Sequence, residues 1–381
     1  MCLCVSICLG PPCVFRLIEA RTLRCSTQRS NAIRLLFLYK MNLKRLQFAI
    51  NHHDPAVISI GLRELFQELL KFDPFVRSSF QYQHDSASSY SAVFNSIQHA
   101  ALPEDHILSE LLASSPSLED FFSLWTFTAL ELDIPLAIQT FDVLAAIVEI
   151  LPSDSPTLSI IINKLYKVHM SYVQRMLDKN SLGVLNSLCR LFIATSKKAQ
   201  LPIELSHILL SGNLFKKVNK LSEGDNEEDR HFYLVKLLMT LMVHADVDVA
   251  KRLLDSPNID SIQSLLADFS DETYSIFLSG ILYLFLHGAR LAEELSQKFY
   301  SLSSTKNLLA VAASSSVKYD LCISYLESIA LACKSGSKQE MGMNLYHRRT
   351  YVKTLVTSLE PLVHPARAKV GLEIASINYA L

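Results

Sequence analysis

The residues best suited to bind something are lysines. Lys197-Lys198 and Lys216-Lys217-Lys220 lie in consecutive inter-helix regions, and equivalent loops of a stacked array fall on one edge. Clustered ammonium groups contact phosphate oxygens, so this set is read as a nucleic-acid phosphate patch. Scattered solubilising charge is the competing reading. No aromatic platform accompanies the lysines, so base stacking is not suggested. His52-His53-Asp54 is the nearest approach to a metal cluster, although Asp54 before Pro55 also reads as a helix cap. His347-Arg348-Arg349 opens a helix and reads either as a phosphate contact or as a solvated face.

Catalytic patterns are missing. There is no glycine-rich phosphate loop after a strand, no H-E-x-x-H and no G-x-S-x-G. The chain is read as non-enzymatic, with no cofactor, no metal and no small-molecule substrate. Four of the eight cysteines fall within the first thirteen residues, and Cys189, Cys322 and Cys333 lie on apolar helical stretches. That spacing fits neither a disulfide framework nor a zinc site, and a reducing compartment is expected.

The 381 residues are half apolar and 19% charged, with net charge -1, which excludes a disordered chain and a global basic field. Glycine is scarce, at ten residues, which favours helices over a turn-rich β fold. The longest apolar run, Tyr274–Leu286, is thirteen residues and falls short of the roughly twenty a spanning helix needs, so no membrane contact is expected.

The elements that position the lysines are helices. From Glu227 to Asp255, Phe232, Leu234, Val235, Leu238, Leu241 and Met242 recur at helical steps. Asp229, Lys236, Thr240 and His244 mark the opposite stripe. Acids at Glu227, Glu228 and Asp229 suit a first turn. Ala245-Asp246 breaks the run, a second helix carries Val247, Ala250, Leu253 and Leu254, and Ser256-Pro257 stops it.

Similar units precede and follow. Asp54-Pro55 and Asp73-Pro74 each start a helix, the first with Ile58, Leu62, Leu65, Phe66 and Leu69 on one face. Leu102-Pro103 starts another, and Ser117–Asp120 forms a capping box before a helix with Trp125. Asp133-Ile134-Pro135 opens a helix ending at Leu151-Pro152, and Ser155-Pro156 opens the next. Asn180 begins a pair whose face is Leu185, Leu188, Cys189, Phe192 and Ile193, with Gln200–Leu210 as partner. Ser270-Asp271-Glu272 caps Tyr274–His287, and Val317–Cys333 follows Ser314–Ser316.

First-helix starts at Asp133, Asn180, Glu227, Ser270 and Ser316 are 47, 47, 43 and 46 residues apart, within the range of HEAT and armadillo units. An all-α fold of stacked helix pairs, a HEAT/armadillo-like α-solenoid, is therefore expected; a non-repetitive helical bundle is the alternative. Residues 41–130 read as atypical N-terminal helices, 131–333 as about five helix-pair repeats, and 334–381 as C-terminal helices without a polar cap, as if cut from a longer array. Residues 1–40 are set apart. Arg16 to Arg45 carries eight basic residues and one acid, Glu19, and three readings stand: transit peptide, basic arm, or a poorly ordered extension upstream of Met41.

One resemblance covers about half of the chain, from Leu102 to Arg290. Leu111-Leu112-Ala113-Ser114-Ser115-Pro116 leading into Phe121-Phe122-Ser123-Leu124-Trp125 resembles the N-terminal region of the nucleolar pre-ribosomal-associated protein family. So do Ala137–Leu151, Val184–Ala194 followed by Lys197 and Lys198, and the helix-turn-helix pattern of Asp229–Leu254. The resemblance implies a scaffold for early large ribosomal subunit assembly and rRNA processing. Its partners would be precursor rRNA and ribosome assembly factors, and its place the nucleolus, within the nucleus. Members of that family are much longer. A cytoplasmic HEAT-type protein–protein adaptor without RNA binding is the alternative.

Overall fold

The computed structural model describes residues 43–50, 52, 54–72, 134–168, 181–199, 214–221, 230–244, 247–287, 311 and 315–334. Among the described residues there are eleven helices and no strand. They are α1 (Leu43–Ile50), α2 (Pro55–Phe72), α3 (Ile134–Ile150), α4 (Pro156–Val168), α5 (Leu182–Ser196), α6 (Leu214–Lys220), α7 (Phe232–His244), α8 (Val247–Leu254), α9 (Pro257–Leu265), α10 (Asp271–His287) and α11 (Ser316–Lys334). The expectations for residues 1–40, Asp73 to Leu130, Gln200–Leu210, His347-Arg348-Arg349 and the C-terminal helices lie outside the described residues, as does Asp246.

Short polar side chains start these helices, at Asp54 and Ser270 where the sequence placed them and at Ser181 one residue after the expected Asn180, which lies outside the described residues. The carboxylate of Asp54 accepts from the Ala56 amide at 3.0 Å, and its carbonyl accepts from Val57 and Ile58. Ser181 caps α5 in an extended conformation, its hydroxyl accepting from the Val184 amide at 3.4 Å. The Ser270 hydroxyl accepts from the Thr273 amide at 3.1 Å. Each cap satisfies an amide that has no partner inside its own helix.

The core is a succession of contacts. α1 packs on α2, α2 on α3, α3 on α5, α5 on α7, α7 on α10, and α10 on α11. α6 packs on α9, and α8 touches both α7 and α9. A helix with neighbours on two sides must be apolar on more than one stripe. α3 accordingly buries eleven residues, including Val143 to Val148 without a break.

The same constraint corrects the expected polar stripe of α7. Held between α5 and α10, α7 buries Leu234, Val235 and every residue from Leu237 to Met242. Thr240 is fully buried, its hydroxyl donating to the Lys236 carbonyl at 2.7 Å. The helix starts at Phe232 with no acid in its first turn, and the expected start at Glu227 with Glu228 and Asp229 lies outside the described residues. At the other end of the pair, Ser256-Pro257 stops α8 and at once starts α9, a helix the sequence reading missed. Proline is compatible with the first helical position because the amide it lacks would have had no partner there. The Ser256 hydroxyl is buried and has no hydrogen-bond partner among the described residues.

The helices α3, α5, α7, α10 and α11 start at residues 134, 182, 232, 271 and 316, spacings of 48, 50, 39 and 45. These bracket the expected interval. The α7–α10 contact is close: a Cβ on Gly280 would stand 2.7 Å from Cγ and Sδ of Met239. A branched side chain there must push the helices apart. Gly280→Val is expected to cost about 1–3 kcal/mol of unfolding free energy, measured by urea denaturation. A loss below a few tenths would mean that the two helices yield freely.

Candidate nucleic-acid interface

Lys197 and Lys198 follow the last turn of α5, with the Lys197 amide donating to the Ile193 carbonyl. Because α5 lies against α3, these lysines meet the end of α3 rather than solvent. Lys197 Nζ lies 3.4 Å from Glu149 Oε1, with the two side chains only 7% and 12% exposed. Lys198 Nζ donates to the backbone carbonyls of Glu149 and Leu151. Carbonyls at a helix C-terminus lack intrahelical donors and carry partial negative charge, so an ammonium group suits them. The two lysines expected to contact phosphate thus act internally, tying the end of α5 to the end of α3.

They belong to a larger charged cluster that the sequence reading did not anticipate. Asp142 and Glu149 are seven residues apart on α3, two turns and one face. Arg190 and Lys197 have the same spacing from α5 into its C-cap. Arg190 grips Asp142 through three hydrogen bonds of 2.7–2.9 Å and donates to Ser187 at 2.9 Å. Its guanidinium sits 4.7 Å from the ring centroid of Tyr233 on α7. From the same turn of α7, Lys236 extends along the Phe232 ring, 5.6 Å from its centroid.

The electrostatics follow from burial against attraction. Burial raises the Glu149 carboxyl, but the pull of Lys197, Lys198 and Lys236 outweighs it and holds the group below its usual range. For Asp142 burial wins over Arg190, and its carboxyl is raised. Lys198 is pushed down to about 8 by burial and by Lys197, against the attraction of Glu149. Lys236 is also pushed down to about 8, by burial and then Lys197, with Glu149 opposing and Arg190 adding repulsion.

Lys216, Lys217 and Lys220 lie on a helix, α6, and not in the inter-helix region expected from the sequence, because Leu214, Phe215 and Val218 give that segment an apolar face of its own. Leu214, Phe215 and Val218 form the buried face of α6, which packs on α9. The Leu214 amide donates to the buried Asn258 side chain at 2.7 Å, fixing the start of α6 on the first turn of α9. The lysines stand off that face, with Lys216 and Lys220 exposed and Lys217 half-buried. The expected patch is therefore split. Two lysines are turned into the α3–α5 junction, and three remain together on α6.

Beside α6 lies a cleft of about 310 Å³ lined by Asn219, Arg230, His231, Leu265, Asp268, Ser270 and Thr273. His231 is buried between Phe215 and Phe269, with ring centroids 5.8 and 5.7 Å away, and its Nε2 lies 2.7 Å from Asn219 Oδ1. Burial and the nearby Arg230 push the imidazole down to about 4, with Asp268 opposing. It is neutral near pH 7 and can donate to the Asn219 oxygen; in this arrangement it joins α6 to the start of α7. Asp54, by contrast, is the cap of α2, and the His52 ring accepts from its amide at 3.0 Å. Among the described residues no group of three or more His, Cys, Asp or Glu side chains is placed to hold a metal. Cys189 and Cys322 are buried free thiols. No described helix is long and apolar enough to cross a membrane.

Comparisons with protein-family models, with curated proteins and with solved structures find no match to this chain.

Two outcomes test this geometry. Glu149→Gln removes the carboxylate shared by three lysines, and a loss of about 3 kcal/mol is expected in urea unfolding. An exposed control, Lys216→Gln, should change stability by no more than about 0.5 kcal/mol. Equal effects would mean that the cluster is not coupled. The second outcome concerns pH. His231 titrates near 4 when folded and near 6.5 when unfolded, so the unfolded chain binds more protons between those values. Its stabilising contribution is complete above 6.5 and is lost as pH falls through 4. His231→Phe should flatten the stability profile across that window, as read from urea midpoints, and an unchanged slope would count against a neutral buried imidazole.

Proposed function

We propose that the chain is a non-enzymatic helical scaffold, with its helix pairs stacked as a HEAT/armadillo-like α-solenoid. In this reading it serves early large ribosomal subunit assembly and rRNA processing in the nucleolus, holding precursor rRNA and assembly factors on one surface. The observation that carries the scaffold is the order of packing: α3, α5, α7, α10 and α11 each meet the next, at spacings of 39–50 residues. Several polar contacts between neighbouring elements span similar separations, from 44 residues for Leu214–Asn258 to 51 for Lys318–Ala267, although Ser59–Gln139 between α2 and α3 spans 80. The ribosomal part of the proposal is supported by the family resemblance from Leu102 to Arg290, and the RNA contact by the three lysines of α6. Each contact would be weak, and affinity would come from many engaged together.

A second reading, a cytoplasmic HEAT-type adaptor that binds only proteins, is favoured by one observation. With Lys197 and Lys198 turned inward, the basic edge available to a polyanion is shortened to α6. Sequencing RNA crosslinked to the tagged protein in cells separates the two. Enrichment of precursor rRNA is expected, whereas its absence together with one dominant protein partner would select the adaptor. In vitro, reversing Lys216, Lys217 and Lys220 to Glu should weaken RNA binding and reduce the log–log salt slope by about 1 per lysine contacting phosphate. Unchanged affinity and slope would remove α6 from the interface.

A further inference from the structure

The cleft beside α6 opens next to the exposed lysines. Lys216, Asn219 and Lys220 are all exposed, and Asn219 and Lys220 stand three and four residues after Lys216, so the three share one face of the helix. Asn219 is also a wall of the cleft. A strand whose phosphates rest on Lys216 and Lys220 therefore runs along the rim of a cavity. Its volume, about 310 Å³, falls at the lower end of the range for small-molecule sites, about 300–1,000 Å³. That is room for one unpaired base and not for a duplex.

The walls of the cleft supply both donors and acceptors. Asp268 is exposed and offers two carboxylate oxygens, which only accept. Arg230 offers a fork of N–H donors, enough to keep another partner and still donate to a ligand. His231 is neutral near pH 7 and engages Asn219 through Nε2, so Nδ1 is the acceptor its ring can offer. Among the four RNA bases guanine matches this set. Its Watson–Crick edge carries the adjacent donors N1–H and N2–H2, which suit a carboxylate, and its other edge carries the adjacent acceptors O6 and N7, which suit an arginine. Adenine, cytosine and uracil each set an acceptor beside the donor on their Watson–Crick edge, which a carboxylate repels. A small zwitterion would also match Arg230 and Asp268, but only a base carried on a strand uses the lysines of the same face.

We propose that the cleft takes one unpaired guanine of a single-stranded RNA whose phosphates lie on Lys216 and Lys220, with Asp268 accepting from N1–H and N2–H2 and Arg230 donating to O6 and N7. This site rests on the RNA contact assigned to α6 and adds a base preference to it, because phosphate contacts alone carry no sequence information.

Fluorescence anisotropy of the full chain with short labelled oligouridines tests the site, using one oligomer unchanged, one with a single central guanosine and one with a single central adenosine. The guanosine oligomer should bind about tenfold tighter than the unchanged one, and the adenosine oligomer should bind like the unchanged one. Asp268→Asn should erase the guanosine preference; because Asp268 is exposed, that variant is expected to fold. Lys216→Gln should weaken all three oligomers by a similar factor and keep the preference. Equal wild-type affinities for the three oligomers overturn the site and leave the phosphate contact of α6 standing, whereas binding of none overturns both. A preference that survives in Asp268→Asn also overturns the site. Guanosine monophosphate that binds as tightly as the guanosine oligomer would place a free nucleotide in the cleft and overturn the strand.

Discussion

The α3–α5 contact is the constraint on which the rest of the described structure depends. Its apolar surfaces set its strength, with Val143 to Val148 of α3 and Leu188, Cys189 and Leu191 to Ala194 of α5 buried. Its polar edge sets its register. Arg190 meets Asp142 and Lys197 meets Glu149, both pairs 48 residues apart, so sliding either helix by one residue would separate both pairs at once. Paired charges of this kind add little net stability after desolvation, but leaving one unpaired is costly, and that asymmetry selects one register over its neighbours. With α3 and α5 locked, α7 is set against α5, and α10 and α11 follow in turn.

Lysine has two uses in this chain, and position on a helix decides which. Lys198 and Lys318 each reach back to carbonyls near the end of an earlier helix, at Glu149 and Leu151 for the first and Ala267 for the second. A long stem can be buried while its ammonium group finds the carbonyls that a helix end leaves unsatisfied. Lys216 and Lys220 instead stand exposed on α6, off the face that carries its apolar contacts. Internal polar ties of the first kind suit a scaffold, since they hold neighbouring helices in fixed order while leaving the outer surface available to partners.

Much of the helical pattern was legible from local chemistry alone. Asp54-Pro55, Ser155-Pro156 and Ser270 mark helix starts because a short oxygen-bearing side chain or a proline meets the needs of a first turn wherever it occurs, and the cap of α5, Ser181, stands one residue from the expected Asn180. The same signal at Ser256-Pro257 was read as a stop only, although a proline that cannot continue one helix can begin another. The stripe on α7 was misread for a different reason. Lys236, Thr240 and His244 have polar groups at helical spacing, but Thr240 can satisfy its hydroxyl on its own helix and so enter the core. A polar stripe thus marks a solvated face only if its members lack such a partner.

The candidate site was less legible than the fold. Lys197 and Lys198 look like surface charge in sequence, because their partners lie 47–49 residues earlier and nothing local names them. A sign was present in the matching intervals of Asp142 to Glu149 and Arg190 to Lys197, two acids and two bases each two turns apart, but such a match acquires meaning only once α3 and α5 are known to be neighbours. By itself the sequence determined that the described segments form helices and roughly where most of them begin, α6 and α9 excepted, because caps, prolines and apolar periodicity act over a few residues. Tertiary structure alone decided which faces are buried and which lysines are spent inside. Those outcomes depend on burial and Coulomb interaction between groups tens of residues apart.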